Sequence, residues 1–198
     1  MIIFNNLSNQ EPFQILKEKY DEALNAGQKN IEVICIASYN KLNNEVDSRY
    51  VNLKFLKDTE FIFFSNYNSP KALAFDSHEQ ISALVYWPVI RTQIRIKAKI
   101  KKTPAAFNQQ YFINRSKEKN ALAISSYQSR FISSYSEVKK NFEKSLKNDD
   151  LKECPLYWGG YSFTPYEIEF WVGNEFRLNK RNLYRKDNTN WNHFILEP

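Results

Sequence analysis

The side chains with chemistry to offer in this 198-residue chain are cationic and aromatic, spread over its middle and end. They fall in Arg49-Tyr-Val-Asn-Leu-Lys54, Phe64-Ser65, Ser69-Pro-Lys71, Gln93, Tyr111 with Arg115, Gln128-Ser129, Trp158-Gly-Gly160, Glu169-Phe-Trp171 and Arg177-Leu-Asn-Lys-Arg181. Tyr111 and Arg115 stand four residues apart in a segment of helical pattern, so they project together. A phenol beside a guanidinium can bind a phosphate through neutral and charge-assisted hydrogen bonds. Equally, Tyr111 can be a core aromatic and Arg115 a surface charge.

Other chemistries lack their residues. Four glycines, Gly27, Gly159, Gly160 and Gly173, cannot form a dinucleotide loop or a P-loop. His78 and His193 lie near no nucleophile elbow, and a turn or structural role suits each. With Cys35 and Cys154 they are too few for a zinc site, so no metal is expected. The cysteines also match no disulfide framework, and read as free thiols in a reducing compartment. Glu167 and Glu169 share one face of a strand, where salt bridges to arginines are the simplest account.

The charge balance is +6, from 28 Lys and Arg against 22 Asp and Glu. That excess suits small phosphorylated ligands as well as nucleic acid. Its densest stretch, Arg91 to Lys102, alternates. Ile94, Ile96, Ala98 and Ile100 share one face, and Gln93, Arg95, Lys97, Lys99 and Lys101 the other. A solvated face on a half-buried antiparallel strand is the expectation, with a nucleic-acid stripe or a ligand-facing role for its first residues as alternatives. Met1 to Asn6 lacks a signal-peptide pattern, and no apolar run is long enough to span a bilayer. A cytoplasmic location with no membrane or nucleic-acid partner is expected.

The elements that must hold these groups can be read in order. Phe13, Leu16, Tyr20, Ala23 and Leu24 trace one helical face between Pro12 and Gly27. Strand patterns follow at 31–39, 49–56 and 60–65, the last two joined by Lys57-Asp-Thr59. Ser69 and Pro70 suggest the cap and first position of a short helix to Phe75. Strands at 81–87 and 93–103 precede helices at 105–113, 121–126 and 134–146, and Lys147 to Glu153 reads as a mobile loop. Strands at 161–172 and 176–185 and a closing segment at 191–196 complete the chain. Roughly seven or eight strands with a helical insertion at about 104–147 predict a single domain over 1–198, a β-barrel with helices outside it.

Taken together, the motifs resemble the pyridoxamine 5′-phosphate oxidase family. They are Ser-Arg-x-Val-x-Leu-Lys at 48–54, Phe-x-Phe-x-x-Asn-x-x-Ser-x-Lys at 61–71, Tyr-Phe-x-x-Arg at 111–115, and Gln-Ser at 128–129. Trp-Gly-Gly-Tyr at 158–161, Ile-Glu-Phe-Trp-x-Gly at 168–173 and Arg-Leu-x-x-Arg at 177–181 follow in the same order. The resemblance implies a mainly β fold, the FMN-binding split β-barrel, six-stranded and dimerised with FMN at the subunit interface. It implies that Arg49, Lys71 and Ser65 hold the FMN phosphate. Tyr50, Val51, Phe64, Gln93, Gln128, Ser129, Trp171 and Arg181 would enclose the rest of FMN, with Lys54 beside it. Lys54, Tyr111 and Arg115 would take the substrate phosphate. Arg177 and Asn179 would act at the substrate ring, as catalytic and substrate-binding residues.

The implied reaction is oxidation of pyridoxamine or pyridoxine 5′-phosphate to pyridoxal 5′-phosphate, by hydride transfer from the 4′ carbon to FMN and reoxidation by dioxygen. This chain departs from the family pattern in four places. Asn179 and Lys180 replace a histidine and an aspartate, Pro70 replaces an arginine, and Lys119 stands where a serine assists the substrate phosphate. Those departures leave two alternatives: an FMN oxidoreductase of the same fold with another substrate, as in phenazine-pathway oxidases, and a protein that binds FMN or pyridoxal phosphate without turnover.

Overall fold

In the computed structural model, which describes residues 1–198, a short strand β1 (Ile3–Asn5) leads into helix α1 (Glu11–Asn25). Phe13, Leu16, Tyr20 and Ala23 are all buried, as their spacing requires of an amphipathic helix. Gly27, just past its end, takes the left-handed backbone with φ 80°.

Nine further strands join β1 in one sheet: β2 (Val33–Asn40), β3 (Glu45–Asn52), β4 (Phe55–Lys57), β5 (Glu60–Asn66), β6 (Gln80–Trp87), β7 (Thr92–Lys102), β8 (Trp158–Val172), β9 (Lys180–Asp187) and β10 (Asn190–Ile195). Their order is β1-β4-β5-β8-β7-β6-β2-β3, with β9 branching from β8 and carrying β10. Only β1 and β4 run parallel. The sheet is not closed: β3, at one end of the path, comes alongside β5 without pairing to it.

The mainly β architecture with flanking helices is the expected one, but it has ten strands rather than about seven or eight. One reason is that the stretch read as a strand over 49–56 is two strands. Leu53 N donates to Glu32 O beside β2 (2.9 Å), while Lys54 N donates to Ile62 O on β5 (2.8 Å). Between these two residues the chain changes partners, and Lys54 is left at the seam.

Strands β6 and β7 alternate as expected. Ile81, Ala83, Val85, Trp87, Ile94, Ile96, Ala98 and Ile100 face the core. On the outer side, Arg95 pairs with Glu169, Lys97 with Glu167, Lys99 with Glu79 and Lys101 with Glu60. Glu169 also holds Arg181, and Glu167 Arg185. The basic stretch is therefore a salt-bridged outer face. Its partner β8 skips one residue, Tyr166, where the register shifts beside Pro165; proline has no N–H for a regular ladder, and a bulge absorbs it.

The core gathers Phe61, Phe63, Phe163 and Tyr161 from β5 and β8 against Phe75 of helix α2 (Pro70–Ser77). Full burial of each such ring contributes on the order of 1.5–3 kcal/mol. Ser69 does cap α2 by position, but its hydroxyl donates to Asn66 O (2.7 Å) instead of accepting from the helix.

Helices α3 (Ala105–Ile113), α4 (Lys117–Ser125) and α5 (Tyr135–Asn148) lie between β7 and β8. The second starts four residues earlier than its apolar pattern suggests, because Ser116 caps it by accepting from Lys119 N (3.4 Å). The third runs into the stretch read as a loop from Lys147. Near the C-terminus, residues 176–179 are not strand: Glu175–Arg177 form a tight turn before β9, with φ 52° at Phe176 and 61° at Arg177.

Candidate functional site

Where β3 passes β5 unpaired, the seam opens into a cavity of about 770 Å³, within the usual range for small-molecule sites. Tyr50, Val51 and Asn52 line it from β3, and Phe64, Ser65 and Asn66 from β5. Lys54 enters from the partner change just described. Lys71 comes from the first turn of α2, Tyr111 from the last turn of α3, Arg115 from the turn just past that helix rather than from the helix itself, Lys119 from the first turn of α4, and Trp158 from the start of β8.

The close approach of α3 depends on Gly159. Asn108 on α3 accepts from Gly160 N (2.9 Å) and donates to Tyr67 Oη (3.0 Å). A Cβ at Gly159 would overlap both Tyr67 Oη and Asn108 Nδ2. Glycine at this position lets the helix that carries Tyr111 and leads into Arg115 sit against the sheet.

Charge at the cavity is one-sided. Lys54, Lys71, Arg115 and Lys119 line it, and none has a carboxylate within 4 Å, whereas eleven ion pairs form among other residues. Glu32 is the sole acid on the wall, and it pairs with the N-terminal ammonium at 3.6 Å. Its own backbone N–H, the ammonium and Lys54 hold that carboxyl below its ordinary value.

The cations form two groups. At one end, Lys71 Nζ donates only to neutral acceptors, Gln128 Oε1 and Ser69 Oγ, each at 3.2 Å. Burial, with the Arg49 charge close by, lowers its ammonium to about 8. Ser65 Oγ donates to the same Gln128 oxygen at 3.3 Å. At the other end are Lys54, Arg115 and Lys119. Burial lowers the Lys54 ammonium, and the charges of Lys119 and Arg115 add to that, against Glu32. Two concentrations of unpaired positive charge in one cavity are suited to two anionic groups.

Aromatic planes build the wall between them. Tyr111 stacks on Phe64 at 3.8 Å, Phe64 on Trp158 at 5.2 Å, and the Arg115 guanidinium covers Trp158 at 4.3 Å. Arg115 Nη2 donates to Lys119 O (3.2 Å) while Nη1 is buried with no partner. Burial raises the Tyr111 phenol, so it stays protonated, a donor as well as an acceptor.

Of the residues singled out from sequence, Tyr50, Val51, Lys54, Phe64, Ser65, Lys71, Tyr111, Arg115 and Gln128 meet at this cavity. Arg49 is adjacent to Lys71 but directs its guanidinium to Ser38 Oγ (2.7 Å) and Asp47 (2.5 Å). Ser129, Gln93, Trp171, Arg177, Asn179 and Arg181 do not line it. Three of these form their own unit, since Gln93 is opposite Trp171 and Trp171 opposite Arg181 across β7, β8 and β9. Arg177 and Asn179 lie on the turn before β9, where Asn179 Oδ1 accepts from Asn174 N (3.2 Å). Sequence reasoning missed Glu32 and Ser116 on the wall; only the helix-cap pattern of Ser116 gave a signal.

Comparison with known proteins places the chain in a family. Residues 158–198 match the pyridoxine 5′-phosphate oxidase C-terminal dimerisation region. A pyridoxine/pyridoxamine 5′-phosphate oxidase of Leptospira biflexa is 32% identical over 190 residues, covering 95% of this chain and 89% of its own. The chain belongs to the pyridoxine/pyridoxamine 5′-phosphate oxidase family, a family of oxidoreductases. Its fold is the split β-barrel of solved relatives. PhzG from Burkholderia lata 383, in complex with tetrahydrophenazine-1-carboxylic acid, superposes with a TM-score of 0.90 at 24% identity, covering 96% of this chain and 93% of its own. A pyridoxamine 5′-phosphate oxidase-related, FMN-binding protein from Nostoc punctiforme gives 0.79 at 14% identity, covering 96% and 99%. No helix is long and apolar enough to cross a membrane.

Proposed function

We propose that this protein is an FMN-dependent oxidase of pyridoxamine or pyridoxine 5′-phosphate. The observation that carries the reading is the cavity with unpaired cations at two separate ends, Lys71 at one and Lys54 with Arg115 at the other, Arg49 lying behind Lys71 in an ion pair with Asp47. A phosphorylated cofactor and a phosphorylated substrate would each neutralise one group. The donor set fits FMN: Lys71, Arg49 and the Ser65 hydroxyl can replace the hydration of a phosphate dianion. Lys54, Tyr111 and Arg115 would hold the substrate phosphate, with Trp158 fixing the guanidinium plane.

When bound, FMN would supply two-electron redox chemistry, taking hydride from the substrate's 4′ carbon and passing both electrons to dioxygen as hydrogen peroxide. This chain's residues would position the donor carbon and screen the two phosphates. Imine hydrolysis then releases ammonia from the amine substrate.

A second copy of the chain would complete the site. The face of the sheet away from the core exposes Tyr50 (77%), Tyr86 (56%) and Leu84 (38%). Tyr50 also borders the cavity, and Tyr86 is opposite Gln93 in the row that continues to Trp171 and Arg181. Docking two copies over this face would bring one protomer's Gln93, Trp171, Arg181 and Arg177 turn to its partner's cavity. The match to a dimerisation region supports the same arrangement.

Anaerobic mixing of the FMN-loaded protein with pyridoxine 5′-phosphate tests the reaction, read as bleaching of the flavin's visible absorption. Bound flavin that is not bleached by either vitamer phosphate rules it out. If another reduced aromatic acid then bleaches it, the retuned-oxidase alternative holds.

A further inference from the structure

We propose that Asp47 is an internal competitor for the flavin's phosphate: it holds part of the Arg49 donor fork and so lowers the affinity of the protein for FMN. The inference rests on the reading of the Lys71 end of the cavity as the site of that phosphate.

Strand β3 sets the geometry. Asp47, Arg49 and Val51 alternate onto one face, opposite Ser38, Ile36 and Ile34 of β2, which are all buried. Along that face Val51 lines the cavity, Arg49 is next, and Asp47 lies beyond it. A guanidinium has five N–H donors, and the chain uses three of those on Arg49. Nη1 donates to Ser38 Oγ (2.7 Å) and Ile36 O (3.3 Å), and Nη2 donates to Asp47 Oδ2 (2.5 Å). Nε and the second hydrogen of Nη2 have no partner in the chain.

These contacts differ in kind. Those of Nη1 go to neutral groups on β2 and fix where the guanidinium lies. The one to Asp47 is an ion pair with an acid whose side chain is 70% exposed, against 16% for Arg49. Removing that carboxylate leaves the guanidinium anchored and takes away only its counter-charge. The same carboxylate also acts on Lys71: burial and the Arg49 charge lower that ammonium, and Asp47 raises it. Asp47 thus offsets both cations that would face the phosphate. A dianion binding there meets a negative charge already in place and must share Nη2 with it, which costs affinity.

Titration of the full chain with FMN and with riboflavin, read as quenching of flavin fluorescence, tests this. Asp47→Asn keeps the shape without the charge and should tighten FMN about three- to fivefold, the upper scale for a largely exposed charge. Riboflavin, which has no phosphate, should bind the parent and Asp47→Asn equally. Asp47→Glu keeps the competitor and should not tighten FMN. Glu45→Gln removes one negative charge from the same face of β3, two residues farther from Arg49, and should have little effect. Equal tightening in Glu45→Gln and Asp47→Asn overturns the proposal, since the effect would then be long-range charge. Weaker FMN binding in Asp47→Asn also overturns it, because Asp47 would then orient Arg49 rather than compete for it. If Arg49→Ala and Lys71→Met lower the preference for FMN over riboflavin while Asp47→Asn leaves it unchanged, the competitor is wrong and the phosphate site stands. If neither Arg49→Ala nor Lys71→Met lowers that preference, the phosphate site itself is misassigned.

Discussion

Arg115 covers the Trp158 indole at 4.3 Å while its Nη1, buried, has no hydrogen-bond partner. The stack holds the guanidinium plane, and the turn after α3, closed by Arg115 N donating to Phe112 O (3.1 Å), places the residue on the cavity wall at the cost of desolvation. An anion is the partner that such a group lacks. Arg115→Ala should therefore raise KM for pyridoxine 5′-phosphate roughly tenfold or more, with FMN affinity close to normal. Arg115→Lys keeps the charge but loses the planar fork and the stack, and should recover only part of the loss. Steady-state kinetics on both variants, beside a flavin titration, separate the two effects. An unchanged KM in Arg115→Ala would make this residue a packing group.

Lys71 gives the cofactor end a pH dependence. Its ammonium is lowered to about 8 by burial and by Arg49, partly offset by Asp47. Below that value Lys71 is charged and ready for a phosphate. Above it, binding must recruit a proton, because the bound dianion favours the ammonium form. FMN affinity should hold near pH 7 and fall as pH rises through about 8, while riboflavin, which has no phosphate, shows no such fall. Lys71→Met should bind FMN more weakly and without this slope. Fluorescence quenching across pH measures all three, and equal profiles for FMN and riboflavin would place the phosphate elsewhere. For the unliganded protein the sign is the reverse of a stabilising ion pair: the unfolded chain binds more protons than the folded one between pH 8 and the ordinary lysine value, so stability contributed by this group rises with pH there.

Gly159 offers a test of the scaffold. A Cβ there would overlap Tyr67 Oη and Asn108 Nδ2, so Gly159→Ala must push α3 from β8. A loss of about 1–3 kcal/mol is expected from such overpacking. In a chain of this size that is roughly 2–4 °C of Tm for each kcal/mol. Phosphate-ligand affinity should fall with it, because α3 carries Tyr111 and leads directly into Arg115. Gly27→Ala has open space around its Cβ and only its left-handed φ to strain; it should cost stability and leave ligand affinity alone. Calorimetric melting and one titration on each variant decide whether the two effects are coupled.

The legible parts of this molecule were those written in short-range pattern. Alternation along Gln93 to Lys101 fixed which face of β7 is buried. Tyr111 and Arg115 do share one wall, but not as the helical i,i+4 pair their spacing suggests, since α3 ends at Ile113 and Arg115 reaches the wall from the turn that follows. The partner change at Leu53 and Lys54 left no mark, since Leu-Lys-Phe continues a strand pattern through it. Helix α4 opens on Lys-Glu-Lys-Asn, which has no apolar period, so the pattern starts it at Ala121, four residues late. Glu32 was invisible as a site residue because its relevance comes from Lys54, which reaches it only through the fold. Family resemblance named Gln93, Trp171 and Arg181 separately, and strand register alone shows that they are neighbours.

The turn before β9 carries the sharpest departure from the family pattern, Asn179, and the structure gives that residue work of its own. Its Oδ1 accepts from Asn174 N at 3.2 Å, closing a turn in which Phe176 and Arg177 both have positive φ. Non-glycine residues pay on the order of 1–2 kcal/mol each for that conformation, so the turn must be held by something. Asn179 is one such clamp, and Asn174 Oδ1, which accepts from Glu175 N at 3.0 Å, is another. The clamp would fix the direction of Arg177, the residue expected over the substrate ring. Asn179→Ala should release the turn and lower kcat for pyridoxine 5′-phosphate severalfold, with little change in KM or in FMN affinity, because no phosphate ligand moves. Asn179→Asp keeps an acceptor for Asn174 N and should retain most of kcat. Asn179→His can also accept through a ring nitrogen, and it adds a group that titrates near neutral pH. It should raise turnover severalfold and bring a pH dependence that the asparagine protein lacks, with Lys180→Asp in the same background supporting the imidazole. Turnover in Asn179→Ala equal to that of the parent would show that the clamp does not govern Arg177.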